Sequence, residues 1–226
     1  MSAEFLYKKW IMRVMVIFST ACVFFSCVYA RMLSSAKSVN VATSFYFLVL
    51  DEAHVEAGAV FAKLDGGAGY FLEDNGKMYV ALSVYINESD GTKAQRNLSA
   101  SGKKAFLIKK GVQKIYFKNK FKKNVALYVN ALTVLKGYIH ILNECITLLS
   151  EGITQEKCKN ILHVLERQFL YARSAYAGYN QYTDVCERSA LELSMLSQKT
   201  IFLKDLRYLL CWQVEKYIAL CKHFSL

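Results

Sequence analysis

From Val14 to Ala30 the chain runs seventeen residues without a charge, with Ser and Thr as the polar groups, and Lys8, Lys9 and Arg13 stand before it. A helix rising about 1.5 Å per residue barely spans a ~30 Å hydrocarbon core at this length, and Trp10 to Met12 can extend it. The pattern predicts a signal anchor, residues 1–30, with residues 31–226 exported past a basic inner flank. Two readings compete with it. Val28-Tyr29-Ala30 offers small residues for cleavage of a signal peptide near Ala30, and a buried helix of a soluble chain would be equally apolar. No later stretch is expected to compete with this one for the membrane.

Residues 31–44 are small and polar and read as a tether. From Phe45 the periodicity is mixed. Phe45–Leu50 is a compact aromatic and branched run, hence a strand. Val55, Ala59, Val60 and Leu64 recur at helical spacing, and Asp65-Gly66-Gly67 stops that helix. Gly69–Glu73 and Lys77–Tyr85 are strands joined at Asp74-Asn75-Gly76, where Asn-Gly accepts the two positive φ angles of a type I′ hairpin. Asn87 to Asp90 opens a second helix, capped by Ser89 or Asp90, and Ser101-Gly102 closes it. Ala105–Lys109 is a fourth strand that Val112–Phe117 extends or follows. The order strand–helix–strand–strand–helix–strand over residues 45–118 predicts an α+β, ferredoxin-like βαββαβ domain, with both helices on one sheet face and the other face open.

From Asn119 the pattern turns wholly helical. Tyr128, Leu135, Leu142 and Leu149 recur every seven residues, as do Leu132, Ile139 and Ile146, which predicts a helix of about 30 residues ending near Glu151-Gly152. Thr154 caps the next, with a stripe from Cys158 through Leu162, Leu165, Phe169 and Ala172 to Tyr176, closed by Gly178. Thr183 caps a third, striped by Leu193, Leu196, Leu203, Leu210, Val214 and Cys221, long enough to break near Thr200. Residues 119–226 therefore read as an all-α three-helix bundle.

One segment carries a family likeness. Met78–Leu98, MYVALSVYINESDGTKAQRNL, resembles the second half of a SPOR (sporulation-related repeat) domain, with Tyr79-Val80, Ser83, Tyr85, Asn87, Ala94 and Leu98 at the pattern's places. The likeness spans about residues 45–110. Ala81 stands where the family often has Gln, and Ser83 where it has Gly. The resemblance implies an extracytoplasmic domain of a bacterial envelope protein, often tethered by one N-terminal membrane helix. It also implies an open sheet face that binds peptidoglycan glycan strands, in cell-wall remodelling, division or sporulation.

Strand alternation sorts the sheet independently. If Val80, Leu82 and Val84 face the helices, then Tyr79, Ala81, Ser83 and Tyr85 face outward, joined by Tyr46, Leu48 and Leu50. Tyrosines on an open face suit stacking on sugar rings; a bundle or partner covering that face would make them core instead. Tyr46, Leu48, Tyr79, Ala81, Ser83 and Tyr85 are the candidate ligand-binding set.

Charge adds a second candidate. The chain of 226 residues has a formal net charge of +11, and residues 91–143 hold twelve basic residues and no acidic one. Lys103, Lys104, Lys109, Lys110, Lys114, Lys118, Lys120, Lys122 and Lys123 form a basic patch that attracts an anionic partner, whether lipid headgroup, acidic polymer or acidic protein face. A solvated lysine face is the plain alternative. Arginine is absent from the patch, which argues against phosphate forks and makes nucleic acid an unlikely partner unless the chain is not exported.

Catalysis is not expected. His54, His140, His163 and His223 fall in no metal-binding spacing, and Asp51, Glu52 and Glu56 near His54 read as helix caps. No metal or cofactor is expected. Cys145, Cys158, Cys186, Cys211 and Cys221 lie on predicted helices and read as small buried hydrophobes, with a Cys145–Cys158 disulfide open as an alternative. The remaining function class is a protein-interaction module using the bundle, through a partner or a homodimer.

Overall fold

The hairpin at Asp74-Asn75-Gly76 forms as expected, because Asn75 and Gly76 take φ of 51° and 77°, the handed-over backbone that a two-residue turn needs. The computed structural model describes residues 39–50, 55–118, 121 and 124–225. The predicted membrane segment, most of the tether, Asp51, Glu52, His54, Lys120, Lys122 and Lys123 lie outside these.

The chain is α+β. Strands β1 (Val39–Leu50), β2 (Tyr70–Asp74), β3 (Lys77–Tyr85) and β4 (Ala105–Ile115) alternate with helices α1 (Val55–Leu64) and α2 (Glu88–Ala100). They form one sheet in the order β2-β3-β1-β4, every neighbouring pair antiparallel. β1 starts six residues before the expected Phe45, so residues 39–44 belong to the sheet and not to a tether. Its partner decides this: β4 is one unbroken strand, and its pairing with β1 runs from Leu50↔Ala105 to Val39↔Ile115. The two backbones come so close at Gly111 that an added β-carbon would lie 2.2 Å from the Thr43 carbonyl oxygen. Only glycine fits there.

Four helices follow, where three were expected: α3 (Val125–Ser150), α4 (Gln155–Ala175), α5 (Asn180–Ser197) and α6 (Leu203–Phe224). The long final helix breaks between Ser197 and Leu203. No Pro or Gly causes the break. The Gln155 side chain does, by donating to the Ile201 carbonyl at 3.0 Å while accepting from the Ile201 amide at 2.9 Å. The two bonds pair backbone groups of a buried residue that stands outside either helix.

Caps agree in part. Thr154 accepts from the Lys157 amide at the start of α4, and Gly152 takes φ of 93° after α3. Two expectations shift: α2 begins at Glu88 with Asn87 as its cap residue, and α5 begins at Asn180. Thr183 therefore lies inside α5, where its hydroxyl donates to the Asn180 carbonyl.

The final helix, α6, is buried nearly all round, with Leu206, Leu209, Leu210, Cys211, Trp212, Gln213, Val214, Tyr217, Ile218, Leu220, Cys221 and Phe224 all inside. One side packs on α3 and α5, the other on β2, β3 and β4. A helix buried on most of its sides belongs in the middle of a core. The sheet face and the bundle consequently share one hydrophobic cluster, from Phe45, Phe47 and Val49 through Leu135 and Ile139 to Phe224. The expected division at residue 118 is a change of element type and not a gap between cores. The chain after β4 is tied to the end of α6, since Phe117 bridges Ser225 and the Lys118 amide donates to the Phe224 carbonyl.

Helix α3 corrects one further expectation. Among the described residues it is long and apolar enough to cross a membrane by composition, so residues 14–30 are not the only such stretch. Its stripe from Val125 to Ile146, however, faces the shared core.

All five helical cysteines are free and buried, and the Cys145 and Cys158 sulfurs lie 3.1 Å apart. Burial pushes the Cys186 and Cys221 thiols and the Tyr128 phenol up to about 12. Two outcomes follow. Replacing Gln155 with Ala strands both Ile201 backbone groups and should cost about 2 kcal/mol in urea denaturation. The titrations act through the unfolded chain, which releases thiol protons above about pH 8.5 and phenol protons above about pH 10 while the folded chain keeps them. The urea midpoint should hold steady to about pH 8.5 and fall from there toward pH 11; a rise across that range would contradict the burial.

Candidate functional site

The expected open sheet face does not exist, and the candidate residues on it do not share a side. β1 and β3 pair Leu48 with Ser83 and then Val49 with Ala81, so Leu82 is an extra residue with no partner. A bulge of this kind reverses the alternation beyond it. Before it, Tyr79 and Ala81 point toward the bundle: Ala81 is fully buried in the shared core and Tyr79 packs edge-on to Phe106 at 5.5 Å. After it, Ser83 and Tyr85 lie on the opposite face with Tyr46 and Leu48, and Val84 turns to the bundle instead of the helices.

The bundle-facing side is filled by α6. Phe45 meets Tyr217 edge-on at 5.9 Å, and Tyr70 meets Tyr208 at 5.2 Å. The Tyr70 hydroxyl donates to Glu215, and burial together with that carboxylate pushes the phenol far above its ordinary range. This face is core.

The space lies on the other side. α1 and α2 both pack there, on Val80, Leu82, Leu48 and Ala105, as the order of elements predicted. Between them is a cleft of about 660 Å³, within the size range of small-molecule sites. Leu48, Leu50 and Leu82 line it from the sheet, Phe61 and Ala62 from α1, Ala94 and Leu98 from α2. The small side of α1 causes the opening. Gly58, Ala59 and Ala62 are its buried residues, whereas Val60, Phe61 and Leu64 are 59%, 66% and 74% exposed. Of the expected stripe, Val55 and Ala59 face the sheet while Val60 and Leu64 do not, and the helix turns bulky apolar groups to the outside.

Charge surrounds this apolar floor. Lys103, Lys104 and Arg207 line the cleft against one carboxylate, Asp65. Lys103 pairs with Asp65 across the mouth. Arg207 reaches over from α6, where its guanidinium donates to the Gly66 carbonyl at 2.8 Å. Ser83 and Tyr85 bring hydroxyls to the same cleft. Desolvation raises the Tyr85 phenol's pKa, while the nearby Arg207 charge and a hydrogen bond with Ser83 oppose that shift.

The basic patch is divided between roles. Lys109 sits over the Tyr46 ring at 5.6 Å, Lys114 over Tyr116 at 5.3 Å, and Lys110 pairs with Asp74 at 3.6 Å. Lys118 donates to the His223 carbonyl at 3.1 Å. Lys109, Lys110 and Lys114 line edge strand β4, where lysine also blocks unwanted strand pairing. Of the patch, Lys103 and Lys104 belong to the cleft.

Local pattern named Leu48, Ser83, Tyr85, Lys103 and Lys104, but expected the first three on the sheet face away from the helices. It missed Arg207, which lies 141 residues from its partner Gly66 and carries no local signal. It also missed Phe61 and Leu98; the crowding of large residues on one side of α1 was the available clue. No group of three or more metal-ligating side chains occurs among the described residues, and His163 pairs only with Glu166 at 3.3 Å. No protein-family model matches the chain, and no curated protein or solved structure matches it significantly.

The cleft should bind an environment-sensitive apolar dye. Ala94→Phe, which places a ring in the half-buried wall, should weaken dye binding at least tenfold with the melting temperature little changed, as followed by fluorescence titration and circular dichroism.

Proposed function

We propose that the chain is a non-enzymatic binding protein of a bacterial envelope, anchored by residues 14–30 and carrying its folded part outside the cytoplasm. The observation that carries the binding role is the cleft between α1 and α2, an apolar floor rimmed by three cations and one carboxylate. The order of elements and the sheet order β2-β3-β1-β4 support a ferredoxin-like, SPOR-like reading of the first half. Glycan binding on the opposite sheet face is not retained, because α6 fills that face. β1 begins at Val39, nine residues beyond Ala30, so a retained anchor would hold the sheet close to the lipid surface. Lys114 pairs with that end of β1 and would face anionic headgroups there.

A second reading, a scaffold acting through the bundle, is favoured by apolar residues left outside on α4 and α5, among them Val164, Tyr171, Leu191 and Met195.

Fractionation with a C-terminal alkaline phosphatase fusion tests the first reading. The full chain should stay in the membrane pellet through an alkaline carbonate wash, with the fused enzyme active. Recovery in the soluble cytosol would sink the anchored reading. Self-association of the full chain in sizing experiments, abolished by Tyr171→Lys, would support the second.

A further inference from the structure

We propose that the cleft between α1 and α2 binds a long-chain fatty acid, with its carboxylate at Arg207 and its acyl chain along Leu48, Leu50 and Leu82. This rests on the cleft being the binding site of the preceding section and names what it takes.

Three observations select this chemistry. The first is the floor. Leu48 and Leu50 of β1 pair with both β3 and β4, and the Leu82 carbonyl takes the Ala68 amide, so the backbone beneath these leucines is already occupied. Ser83, Tyr85 and Asn97 are the neutral polar side chains of the lining, and Leu48, Leu50, Leu82, Phe61 and Leu98 offer contact area without hydrogen bonds. A sugar would leave its hydroxyls unpaired there. An acyl chain would leave nothing unpaired.

The second is the distribution of charge. Lys103 is neutralised by Asp65 at the mouth. Among the described residues Arg207 has no carboxylate partner, and its hydrogen bond to the Gly66 carbonyl leaves further guanidinium donors free. Guanidinium takes a carboxylate in a two-pronged bond, and Ser83 and Tyr85, hydrogen-bonded to each other, line the same cleft. Lys104 lines the cleft as a second cation, and the fork at Arg207 is the feature that fits a carboxylate.

The third is access. Phe61 both lines the cleft and stands 66% exposed, next to exposed Leu64 and Val60. Phe61 gives the mouth an apolar stretch on the α1 side, between the charged groups. A volume of about 660 Å³ accommodates a folded or partly protruding acyl chain.

The test uses the full chain in phosphatidylcholine nanodiscs with a diazirine-bearing palmitic acid, and maps the cross-linked peptides by mass spectrometry. Labelling is expected on the segments holding Leu48–Leu50, Leu82–Tyr85 and Ala94–Leu98. Unlabelled palmitate should compete. Methyl palmitate, which lacks the charge, should compete at least tenfold more weakly, and lysophosphatidic acid should also be weaker than palmitate. Arg207→Gln should lower labelling about tenfold, and Arg207→Lys should fall between, since a point charge keeps the attraction and loses the fork. Should Arg207→Gln fold poorly by circular dichroism, Ala94→Phe provides the independent block and should abolish cleft labelling. Labelling confined to residues 14–30, equal competition by the methyl ester, or full labelling of Ala94→Phe would each overturn the proposal. Preferred competition by lysophosphatidic acid would overturn the carboxylate assignment. Cleft labelling in a chain that washes off membranes would refute the anchor and leave the fatty-acid site standing.

Discussion

Helix α6 is the piece on which the rest of this structure depends. It is buried around nearly its whole circumference, and such a helix is stable only when covered on every side. The sheet supplies one cover and α3 with α5 the other. Each fully buried leucine, isoleucine or valine contributes roughly 1.5–3 kcal/mol relative to exposure, and α6 carries many of them. Among the described residues no other helix has a comparable run of buried positions. Removing α6 would expose both the bundle and one sheet face at once.

That arrangement explains why the ligand space is where it is. A four-stranded sheet has two faces, and α6 fills one, with Tyr217 against Phe45 and Tyr208 against Tyr70. The other is covered only by α1 and α2, two short helices. α1 turns Gly58, Ala59 and Ala62 inward, too small to close the gap to α2. α6 contributes to that side as well, through Arg207, whose side chain reaches the cleft beside Gly66. One helix thus closes the first face and brings a cation to the second.

The bulge at Leu82 shows how a single residue can redirect a site. Strict alternation would have put Tyr79, Ala81, Ser83 and Tyr85 together. With one unpaired residue in β3, the first two join the core and the last two join the cleft. The bulge also lets Leu82 and Ser83 contribute to the same cleft, one apolar and one polar. The pairing partner across the sheet decides this, and the order of residues in β3 alone carries no mark of it.

Much of this protein was legible in its residues. The Asn75-Gly76 turn, the Thr154 cap, the ends at Gly102 and Gly152, and the stripes of α3 and α4 are local features, set by backbone freedom and by periodicity within one element. The mixed α+β order follows from them. What required the folded chain was every relation between distant segments. The start of β1 at Val39 depends on β4, the break at Ile201 on Gln155, and the side taken by Ser83 on the register with Leu48. Periodicity shows that a residue has an apolar neighbour but not which one, and burial between two layers is a property of the layers. Hence the hydrophobic character of α6 could be read from its sequence, while its place between sheet and bundle, and the presence of Arg207 in the cleft, came only with the tertiary structure.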